Sequence, residues 1–267
     1  MDYRVGLGET NPKTPPDPPA RGDPSPRTPL GPPRGGLVWD VLRAVVSDRV
    51  TETGRPALDI VDVGGGTGGL AVPFAALGHH VTVVDPSPDA LAAAQRRAAE
   101  AGARLTSVQG EAASLDSVAG AAAADLIICH NVLEYVESPA DAMSAIARVL
   151  RPSATVSVLA SNAVAAVLHR ALAGRFAEAR ALLVSGAPAP GTTPRRFMLP
   201  ELTALIEAAG LRVGEVHGLR IFGGLIPGAL PGGDAAAADA LRALEEAAAS
   251  TPPLRDIASQ LHVLGRR

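Results

Sequence analysis

The sequence predicts a doubly wound α/β fold, in which helices cover both faces of a mostly parallel sheet. Three observations support this prediction. Apolar runs and helical segments alternate five times between residues 57 and 160. A glycine-dense turn follows the first apolar run. The runs are apolar on both faces and their connections are short, which is typical of strands buried in a parallel sheet.

The predicted elements follow one another along the chain in a regular order. An amphipathic helix over residues 37–46 comes first, because its apolar residues recur at helical spacing. Ser87 is expected to cap the helix that begins at Pro88. The predicted strands are 57–63, 80–84, 104–109, 125–130 and 155–160, and the helices between them are 70–77, 88–101 and 139–150.

The alternation ends after Asn162. Residues 162–200 are predicted to form a helical and loop insertion that covers the pocket, with helices at 163–173 and 175–184. The predicted tail contains a helix at 200–209, a strand at 211–219, an alanine-rich helix at 234–250 and a last strand at 259–264. At the other end, residues 1–33 are rich in proline and are expected to form a disordered arm.

Composition limits the possible functions of this 267-residue chain. The net charge of −3 gives no general argument for nucleic-acid binding, although residues 148–220 carry more arginines than acidic residues. Cys129 is the only cysteine, which excludes an internal disulfide and a cysteine-based metal cluster, and no metal is predicted. The sequence has neither an apolar run of membrane-spanning length nor a signal-peptide pattern, so a cytoplasmic protein is expected.

A nucleotide-type pocket is predicted where the first two strands end. Gly64, Gly65 and Gly66 let the backbone approach a ligand closely, and a strand, glycine turn, helix and second strand lead to Asp85. A carboxylate at this strand end can accept hydrogen bonds from two ribose hydroxyls. The alternative role for Asp85 is to cap the following helix. NAD and S-adenosylmethionine (SAM) both use this arrangement.

Three features favour SAM over NAD. One is the pair of motifs at His130–Pro139, where the fourth strand ends, and Val149–Pro152, where the next helix ends. The other two lie closer to the glycine turn and the third strand. Asp62 lies just before the glycine turn, where its carboxylate would repel a pyrophosphate but attract the ammonium group of methionine. A purely structural role in stabilising the turn is the alternative. The segment 109–115 follows the third strand, where an adenine would lie, and the backbone of Ala112 and Ala113 could meet its edge.

The motifs together resemble class I SAM-dependent methyltransferases of the methyltransferase type 11 group. That family has a seven-stranded Rossmann-like sheet ending in an antiparallel hairpin, which agrees with the two predicted tail strands. Arg151–Ala154 departs from the Pro-Gly-Gly turn that is frequent there, which affects only local turn geometry. The resemblance rests on four motifs in this order: Asp62–Gly68, Asp85, His130–Val136 and Val149–Pro152.

A narrower resemblance runs from about Gly31 to the end of the chain. It rests on the stretches Gly31–Trp39, His130–Val136, Ser161–Ala163, Leu168–His169, Gly174–Phe176, Glu207–Gly210, Gly218–Phe222 and His262–Val263. These stretches are similar to bacterial tRNA 5-carboxymethoxyuridine methyltransferases, which esterify a carboxylate of the wobble uridine. The resemblance implies that Arg34 contacts the SAM carboxylate, although a solvated arginine is the alternative. It also implies that Gly64, Gly65, Asp85, Ala112, Ala113 and His130 line the cofactor. The segment 176–195 and Gly223–Gly224 depart from that family. The resemblance is therefore closer at the cofactor site than at the acceptor site.

The methyl acceptor is predicted to be an anion. Arg195, Arg196 and Arg220 are candidates for binding it, and the alternative for each is a solvated arginine. Glu134 and Tyr135 are expected near the acceptor, with capping or packing as the alternative. Three functions remain: a tRNA methyltransferase, a methyltransferase for small oxygen or carboxyl acceptors, and a non-catalytic SAM-binding subunit. For a hydroxyl acceptor, His130 could act as the base.

Overall fold

The computed structural model describes residues 36–185, 194–225 and 235–267. The proline-rich arm at 1–33 and Arg34 lie outside these ranges, as does part of the segment predicted as an insertion. Within them, no helix combines the length and the apolar character needed to cross a membrane.

Seven strands form one sheet, as the sequence predicts. Their order across the sheet is β3-β2-β1-β4-β5-β7-β6, with β7 antiparallel to both of its neighbours and the other pairs parallel. The strands are β1 (Asp59–Val63), β2 (His80–Asp85), β3 (Thr106–Gln109), β4 (Ala124–His130), β5 (Leu150–Ser161), β6 (Arg212–Leu219) and β7 (Gln260–Arg266).

Helices cover both faces of the sheet, which is the doubly wound arrangement. One apolar cluster joins α1, α2 and α3 to the sheet, and a second joins α5 and α8 to the opposite face. The helices are α1 (Leu37–Thr53), α2 (Ala71–Ala76), α3 (Pro88–Glu100), α4 (Leu115–Ala119), α5 (Pro139–Val149), α6 (Ala163–Leu172), α7 (Phe176–Ser185), α8 (Leu199–Ala208) and α9 (Ala235–Ala248).

Local capping explains several helix boundaries. Ser87 accepts a hydrogen bond from the backbone N–H of Ala90 and begins α3, and Asn162 accepts one from Val164 and begins α6. Gly54 ends α1 in a left-handed conformation with φ of 66°. The first helix thus extends to Thr53, beyond the predicted end at residue 46, because its apolar pattern weakens before its cap.

Two predictions were wrong in detail. β5 begins at Leu150, not at 155, since Leu150 pairs with Ala124 before the register shifts. A proline can enter a strand beside such an irregularity, so Pro152 does not separate helix from strand. The segment after β3 is also more than a turn, because a short 3₁₀ helix over Ala112–Ser114 continues into α4.

Candidate active site

The glycine turn after β1 brings its backbone to the carboxyl edge of the sheet. Gly64 has φ of 64°, and its N–H donates to the carbonyl of Val84 over 2.7 Å. A Cβ on Gly64 would lie 2.4 Å from a methyl group of Val132. Any side chain would therefore require both an unfavourable backbone conformation and a shift of Val132.

Asp85 ends β2 with its carboxylate already oriented. One oxygen accepts the N–H of Gly66 and the other that of Ser87, each over 2.9 Å. The side chain of Ser87 caps α3, so Asp85 is not that helix's cap. Because a carboxylate oxygen has two lone pairs, each oxygen of Asp85 can accept a second hydrogen bond from a ligand hydroxyl.

A cleft of about 840 Å³ opens at the carboxyl ends of β1 to β4. It contains four of the predicted cofactor residues and several that sequence reasoning did not select. Asn131, with φ of 55°, is one of the latter, and Gln260 holds its side-chain oxygen by a 2.7 Å hydrogen bond. The lining residues include Gly64, Asp85, Ala112, Ala113, Gly110, Glu111, Asn131, Val132, Tyr135, Val136, Glu137 and Ser138.

Asp62 lies beneath the glycine turn and does not line the cleft. It is 4% exposed, and a Cβ on Gly65 would meet its carboxylate at 2.6 Å. Burial raises the pKa of Asp62 to about 7, the N–H of Ala71 opposes this shift, and the charge of Asp85 adds to it. In this geometry Asp62 supports the turn, the structural role that the sequence left open, and contact with a ligand stays a prediction.

His130 ends β4, next to the cleft-lining Asn131. Its Nε2 lies 2.7 Å from Oγ of Ser157, and burial lowers the pKa of His130 to about 3. The ring is therefore neutral at pH 7. A histidine with so low a pKa is a weak general base, because proton transfer is most effective when the pKa lies near the working pH.

Glu134 and Tyr135 follow β4 but have different surroundings. Tyr135 is 65% exposed and lines the cleft. Glu134 is buried, and its Oε1 accepts the N–H of Ser161 over 2.8 Å, which joins this loop to the end of β5. Oε2 of Glu134 is enclosed and has no hydrogen-bond partner within the described ranges.

Arg195 and Arg196 line a second cleft of about 430 Å³ beside the first. The two clefts share Glu137 and Ser138 as lining residues. The N–H of Arg195 donates to the carbonyl of Glu134 over 3.1 Å, which fixes this segment to the loop after β4. The geometry thus brings two of the predicted arginines to the edge of the larger cleft.

Arg220 lines neither cleft. Burial lowers the pKa of His169, and the positive charges of Arg196, Arg220 and Arg170 lower it further. The Nε2 atom of His169 is enclosed without a hydrogen-bond partner in the described part of the chain. The arrangement is a cationic surface formed by α6, the segment before α8 and the end of β6.

The sequence predicts no metal at this site. In the described ranges, no group of three or more histidine, cysteine or acidic residues is placed to hold a metal ion. Arg34, the remaining predicted cofactor residue, lies outside those ranges.

Comparison with known proteins places the chain in a family. A family profile described as "Methyltransferase domain" matches residues 61–158, which run from β1 into β5. The chain is 29% identical over 198 residues to tRNA 5-carboxymethoxyuridine methyltransferase of Escherichia coli K12, covering 71% of both chains. It is 32% identical over 169 residues to ubiquinone biosynthesis O-methyltransferase of Burkholderia thailandensis, covering 61% of this chain and 68% of that one.

Solved structures agree with this assignment at the level of the fold. A SAM-dependent methyltransferase from Mesorhizobium loti has a TM-score of 0.55 at 20% identity, covering 87% of this chain and 99% of that one. Magnesium protoporphyrin IX methyltransferase from Synechocystis PCC 6803, solved with bound S-adenosylhomocysteine, has a TM-score of 0.54 at 17% identity, covering 90% and 91%. Sheet order, sequence motifs and these similarities together establish that the chain belongs to the class I SAM-dependent methyltransferases.

Proposed function

We propose that this methyltransferase transfers the methyl group to a carboxylate, and that its acceptor is the carboxyl group of 5-carboxymethoxyuridine at the wobble position of tRNA. The observation that carries the proposal is the cationic surface beside the cleft. Arg195 and Arg196 line the cleft beside the larger one, and a guanidinium group can hold a carboxylate with two hydrogen bonds. The similarity to the Escherichia coli enzyme supports this acceptor.

The residues of the larger cleft fit SAM. Its volume of about 840 Å³ lies within the usual range for ligand pockets. Backbone at Gly64 is accessible because no side chain intervenes, and the oriented carboxylate of Asp85 suits a ribose diol. Ala112 and Ala113 present a 3₁₀ turn to the same cleft, where backbone groups can meet an adenine edge.

Catalysis of this reaction depends mainly on positioning the acceptor oxygen relative to the methyl group. Bound SAM supplies a sulfonium methyl group, which passes to the acceptor oxygen as the sulfur–carbon bond breaks and S-adenosylhomocysteine remains. A carboxylate is already ionised at pH 7, so no residue has to remove a proton. The arginines would replace water around the anion and hold its oxygen in line with the methyl group. A weakly basic His130 is consistent with such a reaction.

A hydroxyl acceptor is the second candidate. It is favoured by the similarity to ubiquinone biosynthesis O-methyltransferases. The apolar side chains of Val132 and Val136 in the cleft would suit an aromatic acceptor. This chemistry needs a base to remove the hydroxyl proton, which makes it the less favoured of the two.

The two candidates differ in the bond that they produce. The purified protein is incubated with SAM carrying a labelled methyl group and with tRNA from a strain lacking the gene. We expect label on the wobble nucleoside that mild alkali releases, because a methyl ester hydrolyses and a methyl ether does not. Label that resists alkali, or labelling of phenols but not of tRNA, would contradict the proposal.

The cationic surface is tested in the same assay. Arg196→Ala and Arg220→Ala should each lower kcat/KM for the acceptor roughly ten- to hundredfold, the effect of losing a hydrogen bond to a charged group. Their affinity for SAM should change little. Arg212→Ala is the matched control, because Arg212 is exposed at the opposite end of β6. Equal effects of all three substitutions would count against a specific anion site.

A further inference from the structure

A chain of buried polar side chains crosses the sheet from the active-site edge to its last strand. Nε2 of His130 lies 2.7 Å from Oγ of Ser157, and the same oxygen lies 2.7 Å from Nε2 of His262. Nδ1 of His262 lies 3.3 Å from Nδ1 of His217. Four neighbouring strands, β4, β5, β7 and β6, each contribute one member.

Three of the four members are buried and His130 is half-buried, so the buried members cannot exchange their partners freely for water. Ser157 and His262 have no exposed surface, and His217 is 8% exposed. Burial lowers the pKa of all three histidines, and Arg255 lowers that of His217 further while Glu215 opposes this. Each ring is therefore neutral at pH 7, with one nitrogen that donates and one that accepts.

Only two arrangements of the protons satisfy every contact and also give the hydroxyl proton of Ser157 a partner within the chain, because its oxygen could otherwise accept from both histidines. In one arrangement each group donates to its neighbour in the direction from His130 to His217, and in the other each donates in the opposite direction. Each contact needs one donor and one acceptor. The surroundings of His217, at the far end of the chain, decide between these two arrangements. Oε2 of Glu215 lies 3.7 Å from Nε2 of His217, and a carboxylate favours the N–H over a lone pair at that distance.

The position of that proton determines the rest of the chain. With its proton on Nε2, His217 presents a lone pair at Nδ1, so His262 must donate from its own Nδ1. Nε2 of His262 then accepts from the hydroxyl of Ser157, and the oxygen of Ser157 accepts from Nε2 of His130. The Nδ1 atom of His130 is left with a lone pair, and the hydrogen bond found for this ring in the described residues is the one at Nε2.

We propose that Ser157 and His262 are positioning residues that hold His130 as the neutral Nε2–H tautomer, and that Glu215 sets the direction of the chain. His130 then offers only an acceptor at Nδ1. His130 directly precedes Asn131, which lines the larger cleft. If SAM binds in that cleft, as proposed above, and its ammonium group reaches His130, this nitrogen can accept a hydrogen bond from it. A histidine free to change tautomer would present a donor part of the time.

The tautomer is measured by ¹⁵N NMR of the histidine rings in the full chain without ligand, so the result does not depend on the acceptor. We expect a protonated Nε2 and an unprotonated Nδ1 for His130 in the unaltered protein. Ser157→Ala should give a mixture of the two tautomers. Glu215→Gln should also give a mixture at His262 and His130, since it removes the charge that sets the direction.

If Ser157→Ala does not fold, Glu215→Gln still tests the proposal. Glu215 is 70% exposed, so its substitution should leave the fold intact. Glu207→Gln, an exposed position on α8, is the matched control and should leave the His130 signals unchanged. Calorimetry should show a loss of SAM affinity of about three- to tenfold in Ser157→Ala, the size of one net hydrogen bond. Protonated Nδ1 in the unaltered protein, or an unchanged tautomer in both variants, would overturn the proposal.

Discussion

At the scale of single residues, the site depends on carboxylates whose surroundings differ. Asp85 and Asp62 belong to adjacent strands, yet only Asp85 lines the cleft. Two backbone N–H groups orient Asp85, whereas Asp62 is buried beneath the turn. A carboxylate that is held in place but still reachable is suited to a ligand, and one enclosed by the backbone is suited to structure.

Asp85→Asn should lower the affinity for SAM roughly ten- to hundredfold, because an amide replaces one of the two oxygens that can accept a ribose hydroxyl. Isothermal titration calorimetry measures the change. Asp89→Asn is the control, since Asp89 is exposed in the first turn of α3, four residues away. An unchanged affinity in Asp85→Asn would remove Asp85 from the cofactor site.

The positions of several candidate residues were predictable because they follow from chain order alone. The acid at the end of the second strand and the small residues after the third must lie at the same edge of a parallel sheet. The chain from His130 to His217 was not predictable in this way. Ser157, His217 and His262 are polar residues in apolar strands, which is the signal that was available, but their contacts depend on strand order.

At the scale of elements, the turn between β1 and α2 is the most constrained part of the site. Gly64 faces Val132 from the loop after β4, so the two loops must match in shape. The same loop is tied to β5 through Glu134 and to the segment before α8 through Arg195. Side chains from distant parts of the sequence therefore define the cleft together.

Gly64→Ala should destabilise the protein by about 1–2 kcal/mol from its backbone conformation alone, with a further cost from the contact with Val132. Urea unfolding measures the free energy, and SAM affinity should also fall. The double variant Gly64→Ala/Val132→Ala should lack the contact with the valine methyl while keeping the backbone cost. Gly69→Ala is the control, because a Cβ there meets nothing within 4 Å; equal losses in both single variants would contradict this reading of the turn.

Element boundaries were harder to predict than element types. The helix at 139–150 and the strand at 155–160 were placed correctly, but the strand begins at Leu150 since it pairs with Ala124. The local sequence predicts that Arg151–Pro152 ends the helix and separates it from the strand. Pairing with β4 overrides that preference, and pairing partners are not visible in one stretch of sequence.

At the scale of the whole molecule, two buried carboxylates give opposite contributions to stability. Burial alone would raise the pKa of Asp125, but the N–H of Asp59 and the guanidinium groups of Arg55 and Arg151 lower it below its usual value. Asp125 therefore stabilises the fold above about pH 4, and this contribution is lost as the pH falls toward its folded-state pKa. Asp62 has a raised pKa, so its contribution to the stability of the fold is largest below about pH 4. This contribution is lost as the pH rises through 7.

Urea unfolding between about pH 3 and pH 8 tests the sign of the stability contribution of each of these two carboxylates. Asp125→Asn should be about 1.5–3 kcal/mol less stable than the unaltered protein at pH 7, and the difference should shrink below pH 4. Asp62→Asn should gain stability relative to the unaltered protein as the pH rises from about 5 to 8. Parallel pH profiles for the two variants would show that the electrostatic assignment is wrong.

The position of β7 has a consequence for how the protein is made. This strand follows every other strand in the chain, yet it lies between β5 and β6. During synthesis on the ribosome, β6 therefore emerges before its only neighbour in the sheet, and the edge of β5 stays unpaired as well. The sheet closes through contacts between residues about a hundred positions apart, such as Ser157 with Leu264, which favours slow completion of the sheet.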